Sequence, residues 1–157
     1  MKYSITALLI FFVLSGQIFA QPGHGMNSQK RKEIKEMQLN FIINKLQLTE
    51  KEKKEFVPVY KMFCNEREKL FQAKHKNMRN FKQNSLNMSD EELLTLSDKF
   101  VNIDLQLAEL SKQYNEKFKK VLPPIKIILL YQAENEFKRN LIKKMHRKQM
   151  NKKMPPK

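Results

Sequence analysis

The side chains that most often carry catalysis are few in this sequence and far apart along it. Histidine occurs only at His24, His75 and His146, and Cys64 is the single cysteine. A nucleophile, its general base and the group that orients the base must lie within hydrogen-bonding distance of one another. No Ser/His/Asp or Cys/His set can be assembled from these positions. We therefore predict that the protein is not an enzyme and needs no cofactor.

Phosphate and carboxylate chemistry find little support either. Only three glycines occur, two of them in the stretch PGHG, so a backbone loop that cradles a nucleotide phosphate is not expected. The neighbouring acids Glu91 and Glu92 are interpreted as first-turn charges of a helix, and Glu134 and Glu136 as surface charges.

The segment MHRKQMNKKM has the composition closest to that of a metal site. Its thioethers, at Met145, Met150 and Met154, and the imidazole of His146 would suit Cu(I). However, Met145 falls on the predicted apolar face of a helix, and the lysines around the other two methionines would repel a cation. We predict no metal site and keep metal sensing as an alternative.

The first twenty residues have the three-part pattern of a secretory signal peptide. Lys2 is followed by the apolar run ITALLIFFVL, and the small residue Ala20 precedes Gln21, the predicted first residue of the mature chain. The run is shorter than the roughly 20 residues that span a bilayer, although an uncleaved membrane anchor is the alternative. Export predicts a periplasmic protein without an internal disulfide, in which Cys64 is a buried apolar residue or, alternatively, cross-links two chains.

Positive charge is concentrated towards the C-terminus. The formal net charge is +15, and nine lysines and arginines but no acid follow Glu136. In an exported protein such a surplus favours acidic proteins, anionic lipid or surface polysaccharide over nucleic acid. A solvated basic tail without a partner is the simpler interpretation, and both stay open.

The elements that would position these residues are four helices. The first is predicted at about 29–47 and the second from Glu50 to 81–83, after a Thr49–Glu52 capping box. Ser89 and Glu92 form a second capping box, and Pro123 and Pro124 separate the third helix from the fourth. Apolar residues of the third helix recur in steps of three and four over about three heptads, which predicts a lengthwise helical partner. They are Leu93, Leu96, Phe100, Ile103, Leu107, Leu110 and Tyr114.

Pro58 lies inside the second helix, although a proline in a helix interior costs roughly 3 kcal/mol. The apolar rhythm continues on both sides of it, at Phe56, Tyr60 and Phe63. The same inner face of the helix is predicted to continue at Leu70, Met78 and Phe81. This continuity predicts one kinked helix and hence a curved layer. Two short helices joined at Pro58 are the alternative.

Three stretches resemble the Spy/CpxP-related family of periplasmic helical proteins, which is known for its LTxxQ motif. They are FIINKLQLTEKEKKEFVPVY, LSDKFVNIDLQLAELSKQYNEKFKKVL and LPPIKIILLYQAENEFKRNLIKKM, and they cover most of residues 30–145. The resemblance is closest to the Bacteroidetes branch labelled sensor of ECF-type sigma factor. At the first motif Leu48 and Thr49 are kept, but Glu52 stands in place of Gln. At the second, Leu122 is kept, Pro123 replaces Thr, and Lys126 stands in place of Gln.

The resemblance implies an all-α, thin and bent four-helix cradle, dimeric and coiled-coil in character. The expected organisation is a signal peptide at 1–20, a flexible leader at 21–29, the helical domain at 30–146 and a disordered basic tail at 147–157. The implied function is that of an ATP-independent chaperone in the envelope stress response, which binds unfolded or misfolded envelope proteins through a basic and apolar concave surface. The candidate client-binding residues are Lys138, Arg139, Lys143, Lys144 and Arg147.

Two other functions stay open at this point. One is a regulatory stress sensor that binds a membrane sensor or an anti-sigma factor. A metal-responsive form of this sensor is included in the alternative. The other is a basic envelope-binding protein that acts through its tail. Nucleic acid is not an expected partner of any of the three.

Overall fold

The computed structural model describes residues 28–153, and all four predicted helices are present in it. They are α1 (Ser28–Leu46), α2 (Glu50–Asn84), α3 (Asp90–Phe118) and α4 (Pro124–Lys153), with a short 3-10 helix at Ser85–Asn87 between α2 and α3. The fold of the described residues is therefore all-α. The predicted signal peptide, its cleavage point at Ala20 and Gln21 and most of the leader lie outside these residues. No helix in residues 28–153 is long and apolar enough to cross a membrane.

The helix boundaries follow from local chemistry. Thr49 Oγ1 accepts from the Glu52 amide and Glu52 Oε2 accepts from the Thr49 amide at 2.7 Å, and Ser89 and Glu92 form the same reciprocal pair. Helix α1 ends in a Schellman motif, in which the amides of Gln47 and Leu48 donate to the carbonyls of Asn44 and Ile43. Gln47 holds the left-handed conformation of this motif, at φ 45°.

Prolines act differently at the two places where they meet a helix. Pro124 is the first residue of α4, and the Pro123 carbonyl accepts the first helical hydrogen bonds, from Lys126 and Ile127. Pro58 lies inside α2, which continues through it, so the alternative of two short helices is wrong. The pyrrolidine ring is exposed. On either side of Pro58, Phe56 and Tyr60 are buried, and their packing offsets the cost of the missing backbone hydrogen bond.

Helix α4 is longer than the sequence led us to expect. A disordered tail was expected from residue 147, but the helix continues to Lys153. Lys, Arg, Gln and Met all have good helix propensity, and the first helix breaker after Pro124 is Pro155. The expectation is therefore corrected for residues 147–153, and residues 154–157 lie outside the described part of the chain.

The helices form two antiparallel pairs, α2 with α3 and α1 with α4. In the first pair the rings of Phe63 and Tyr114 are 5.1 Å apart, and Lys74 Nζ lies 2.7 Å from Asp104. In the second pair the rings of Phe41 and Phe137 are 5.7 Å apart. In each pair, later residues of one helix contact earlier residues of the other, as in antiparallel neighbours.

Both connections between the pairs lie at one end of the molecule, which we call the closed end. There Lys126, just past the α3–α4 connection, donates to the carbonyl of Gln47 in the α1–α2 connection at 3.0 Å. The main hydrophobic core fills this end and draws on all four helices. It consists of Ile42, Leu46, Leu48, Phe56, Tyr60, Phe63, Tyr114, Phe118, Leu122, Ile127, Leu130 and Ala133.

Candidate binding surfaces

The aromatic side chains of the closed end are sealed inside it. The ring of Phe118 lies within 5.7 to 6.3 Å of four other rings, those of Phe56, Tyr60, Phe63 and Tyr114. All five side chains are buried. Tilted and edge-to-face contacts of this kind stabilise a core beyond the burial of area alone. These rings therefore hold the fold together and are not available to a ligand.

A polar network crosses this core from α2 to α4. The Tyr60 hydroxyl donates to Glu134 Oε1 at 2.8 Å, and Arg67 donates to the same oxygen at 3.0 Å. Burial raises the pKa of Tyr60, and the neighbouring Glu134 carboxylate raises it further. Burial is the largest single influence on Arg67 and would lower its pKa, but the neighbouring Glu134, Cys64 and Tyr60 together outweigh it, so the pKa of Arg67 is raised. The network is thus a fixed ion pair with its hydrogen bonds satisfied, which is a structural arrangement.

Two other groups near this network are held in unreactive states. Burial raises the pKa of the Cys64 thiol, which disfavours the thiolate needed for nucleophilic or redox chemistry. The Tyr114 hydroxyl donates to Glu66 at 2.6 Å, and burial together with this hydrogen bond raises the pKa of Tyr114 to about 12. Neither group is placed to act as a nucleophile or a base near neutral pH.

The two positions that depart from the LTxxQ pattern in charge are in contact with each other. Lys126 Nζ lies 2.7 Å from Glu52 Oε2, in addition to its hydrogen bond to the Gln47 carbonyl. The Lys126 hydrogen bond is the largest cause of the lowered pKa of Glu52. The ion pair therefore ties the start of α2 to the first turn of α4, at the closed end.

Away from the closed end, α2 and α3 continue as a two-helix unit, residues 70–107, which we call the distal hairpin. The outward face of α3 in this unit carries Leu94, Val101 and Leu105, which are 68%, 67% and 56% exposed. Leu94 and Val101 each stand two residues before a buried position, Leu96 and Ile103, and so lie about 200° around the helix from it. Helix α3 thus has a second apolar stripe opposite the one that contacts α2.

Helix α2 presents a different stripe on the distal hairpin. Phe71, His75, Met78 and Lys82 follow one another in steps of four, three and four, which places them on one helix face. All four side chains are exposed, and Phe71 and Met78 keep 45% and 40% of their surface in solvent. Arg79 adjoins this face and is exposed too. We call this set the α2 stripe.

Exposure at the distal hairpin corrects part of the sequence prediction. Met78 and Phe81 were expected on the inner face of the second helix, but both are exposed. The inner pattern holds only where α1 and α4 add a second layer, as at Phe56, Tyr60 and Phe63. Met145 of α4 was likewise expected on a core face and is 45% exposed.

The candidate client-binding cations all lie on the last part of α4, residues 138–150, which we call the cationic arm. Lys138, Arg139, Lys143, Lys144 and Arg147 are exposed there, together with Lys148. None of the six forms an ion pair with a described residue. The structure therefore brings these cations together on one helix, but on a different helix pair from the α2 stripe. The α2 stripe was not predicted from the sequence, although the spacing and composition of its residues are visible there.

The described histidines, which were considered for catalysis or metal binding, lie on separate helices. His75 lies on α2 and His146 on α4, both exposed, while His24 and Met154 lie outside the described residues. Within residues 28–153, no group of three or more His, Cys, Asp or Glu side chains is placed to hold a metal ion.

Comparison with known proteins gives no relative from which a function could be transferred. No family model, no curated protein and no solved structure matches this chain.

Proposed function

We propose that this protein is an exported, ATP-independent chaperone that holds unfolded polypeptides. The observation that carries the proposal is the α2 stripe, where Phe71 and Met78 stay exposed next to Arg79 and Lys82. Exposed apolar side chains on one face of a helix offer contact to an apolar segment of another molecule. Methionine and aromatic side chains also adapt to many sequences, as a promiscuous binder requires.

Charge and apolar contact would have separate roles in this activity. An unfolded chain exposes acidic segments, and the basic surface would attract these over roughly a Debye length, about 8 Å at physiological salt. The candidate residues of the cationic arm, Lys138 to Arg147, would then raise the rate of encounter, while the α2 stripe would hold the client. Raising the salt concentration should accordingly slow capture more than it weakens a complex already formed.

An aggregation assay tests the proposal. A chemically denatured client is diluted into buffer at low salt with an equimolar amount of the protein, and light scattering is followed. We expect the wild type to suppress scattering and the variant Phe71→Ser/Met78→Ser to lose most of this suppression. The matched control is Ile125→Ser/Ile128→Ser, which removes two apolar side chains near the closed end that are more exposed than Phe71 and Met78, and it should remain active.

The same experiment separates the proposal from a regulatory role. Absence of suppression by the wild type at low salt would reject the chaperone function. Tight capture of one membrane sensor or anti-sigma factor, without suppression of client aggregation, would instead support a regulatory stress sensor. Equal loss of activity in the test and control variants would show that the α2 stripe is not the client site.

A further inference from the structure

The cationic arm differs in its charge balance from the rest of the molecule. Elsewhere acids and bases meet, for example Glu134 with Arg67 and Glu136 with Lys45 at 3.0 Å in both cases. Lys35 likewise pairs with Glu68. No acid follows Glu136 along the chain, so the four cations of the arm from Lys143 onwards have no acid within one turn of them on their own helix. Their charge is therefore left for a partner outside the molecule.

The start of α1 adds to the same charge. Helices α1 and α4 are antiparallel neighbours, with Phe41 against Phe137. Because both helices rise by about 1.5 Å per residue, equal steps away from this contact bring Lys30 level with Lys148. Lys30 and Lys32 are exposed. Residues 28–36 of α1 hold four bases and two acids, Glu33 and Glu36, so the far end of the α1–α4 pair carries net positive charge on both of its helices.

The placement of the cations around α4 suits an extended fluid surface better than a folded acidic protein. Arg139 and Lys148 are nine residues apart and so point in directions about 180° from each other. A folded partner offers fixed carboxylates on one side only, whereas lipid headgroups can gather around a helix that rests among them. Exposed apolar side chains lie between the cations, at Ile142 and Met150, 46% and 64% exposed. A cluster of lysines and arginines is attracted to anionic lipid headgroups, and neighbouring apolar side chains add contact in the interfacial region.

We propose that the cationic arm, with the start of α1, docks the protein on the surface of an anionic phospholipid bilayer. This goes beyond the chaperone function and does not depend on it. Lysines and arginines supply most of the attraction to the headgroups, while Ile142 and Met150 enter the interfacial region only shallowly. The closed end and the α2 stripe take no part in the contact.

Vesicle co-sedimentation tests this proposal. The processed protein is mixed with vesicles of phosphatidylglycerol and phosphatidylcholine, and separately with vesicles of phosphatidylcholine alone. We expect binding to the first kind, weakened by salt, and little to the second. The variant Lys143→Gln/Lys144→Gln/Arg147→Gln should lose on the order of a hundredfold in affinity, because each cation near an anionic surface contributes about fivefold.

A matched control removes the same charge elsewhere. The variant Lys76→Gln/Arg79→Gln/Lys82→Gln takes three exposed cations from the distal hairpin and should bind vesicles almost as the wild type does. Ile142→Ser/Met150→Ser should weaken binding by a smaller factor than the arm triple variant. All substituted side chains are exposed, and circular dichroism checks that each variant is folded.

Three results would overturn the proposal. One is equal weakening by the two triple variants, which would mean that only net charge matters. Another is the absence of binding to phosphatidylglycerol vesicles at low salt. The third is binding of poly-glutamate by the arm without binding of vesicles, which would identify an acidic polypeptide as the partner. Suppression of aggregation is measured without vesicles, so its outcome stays separate from all three.

Discussion

Helices α2 and α3 run through both the closed end and the distal hairpin, but the two regions have opposite characters. Near the closed end α2 buries Phe56, Tyr60 and Phe63 against three other helices. Farther along, the same helix leaves Phe71 and Met78 in solvent. Both segments contain phenylalanine and methionine, so whether such a side chain is buried depends on how many helices surround its position.

Geometry explains why the distal hairpin keeps apolar residues exposed. Two packed helices share only one interface, so a helix with apolar residues on two faces can bury only one of them. Helix α3 shows this directly, since Leu96 and Ile103 are buried while Leu94 and Val101 are not. The closed end therefore supplies stability, while the distal hairpin leaves apolar surface exposed for the client binding that we propose.

The largest expected effect comes from the centre of the closed end. Phe118→Ala removes a ring that packs against four others and should destabilise the protein by about 3 to 5 kcal/mol. Phe71→Ala, on the distal hairpin, should cost about 1 kcal/mol or less because much of that side chain is already in water. Urea unfolding of both variants measures the two values, and equal values would refute the division of the molecule into these two regions.

The half-buried ion pair between Arg67 and Glu134 should give the second largest effect. Arg67→Met leaves the Glu134 carboxylate in the core without its cation and should cost about 2 to 3 kcal/mol. This is less than for a fully buried pair, because the two side chains keep 24% and 15% of their surface exposed. Lys119→Met, which breaks an exposed pair with Glu116, is the control and should leave stability nearly unchanged. Thermal unfolding at neutral pH distinguishes the two.

Local sequence signals were sufficient to predict the helices. The capping residues Thr49 and Ser89, and Pro124 at a first turn, act within one turn of the chain, so their effect does not depend on the tertiary fold. Continuity of α2 through Pro58 was also predictable, because the apolar rhythm is the same before and after it.

Exposure could not be predicted in the same way. Met78 and Phe81 continue an apolar pattern that is buried at Phe63, and nothing in the pattern itself marks where α1 and α4 stop covering it. The contact between Glu52 and Lys126 was closer to being predictable. Glu52 and Lys126 both stand at Gln positions of the motif that the sequence resembles, and their charges are opposite. The two differences from the motif together therefore indicate an ion pair between these residues.

Local stability should follow the same division, with an effect of intermediate size. Amides in the distal parts of α2 and α3 should exchange with deuterium at least about tenfold faster than those around Tyr60 and Tyr114. This corresponds to a difference of about 1.4 kcal/mol in the free energy of opening. Exchange measured residue by residue in the native state checks this. Uniform protection along α2 would mean that the distal hairpin is as stable as the closed end.

The smallest expected effect concerns the Glu52–Lys126 pair and its dependence on pH. Folding lowers the pKa of Glu52 below its ordinary value of 4.5, so the folded state binds protons less readily than the unfolded state. The pair therefore stabilises the fold above that pH, and its contribution is lost as the pH falls below it. Lys35 lowers the pKa of Glu68 in the same direction. Stability should decline on acidification, and Glu52→Gln should make the decline shallower without abolishing it.

A double-mutant cycle isolates this pair from the other carboxylates. Lys126→Gln alone removes both the ion pair and the hydrogen bond to the Gln47 carbonyl, so at neutral pH it should destabilise more than Glu52→Gln does. The double variant places glutamine at both motif positions, where two amides can hydrogen-bond to each other. It should therefore be more stable than the sum of the single changes allows, and its stability should vary less with pH than that of the wild type. Strict additivity of the two changes would show that Glu52 and Lys126 do not stabilise the closed end as a pair.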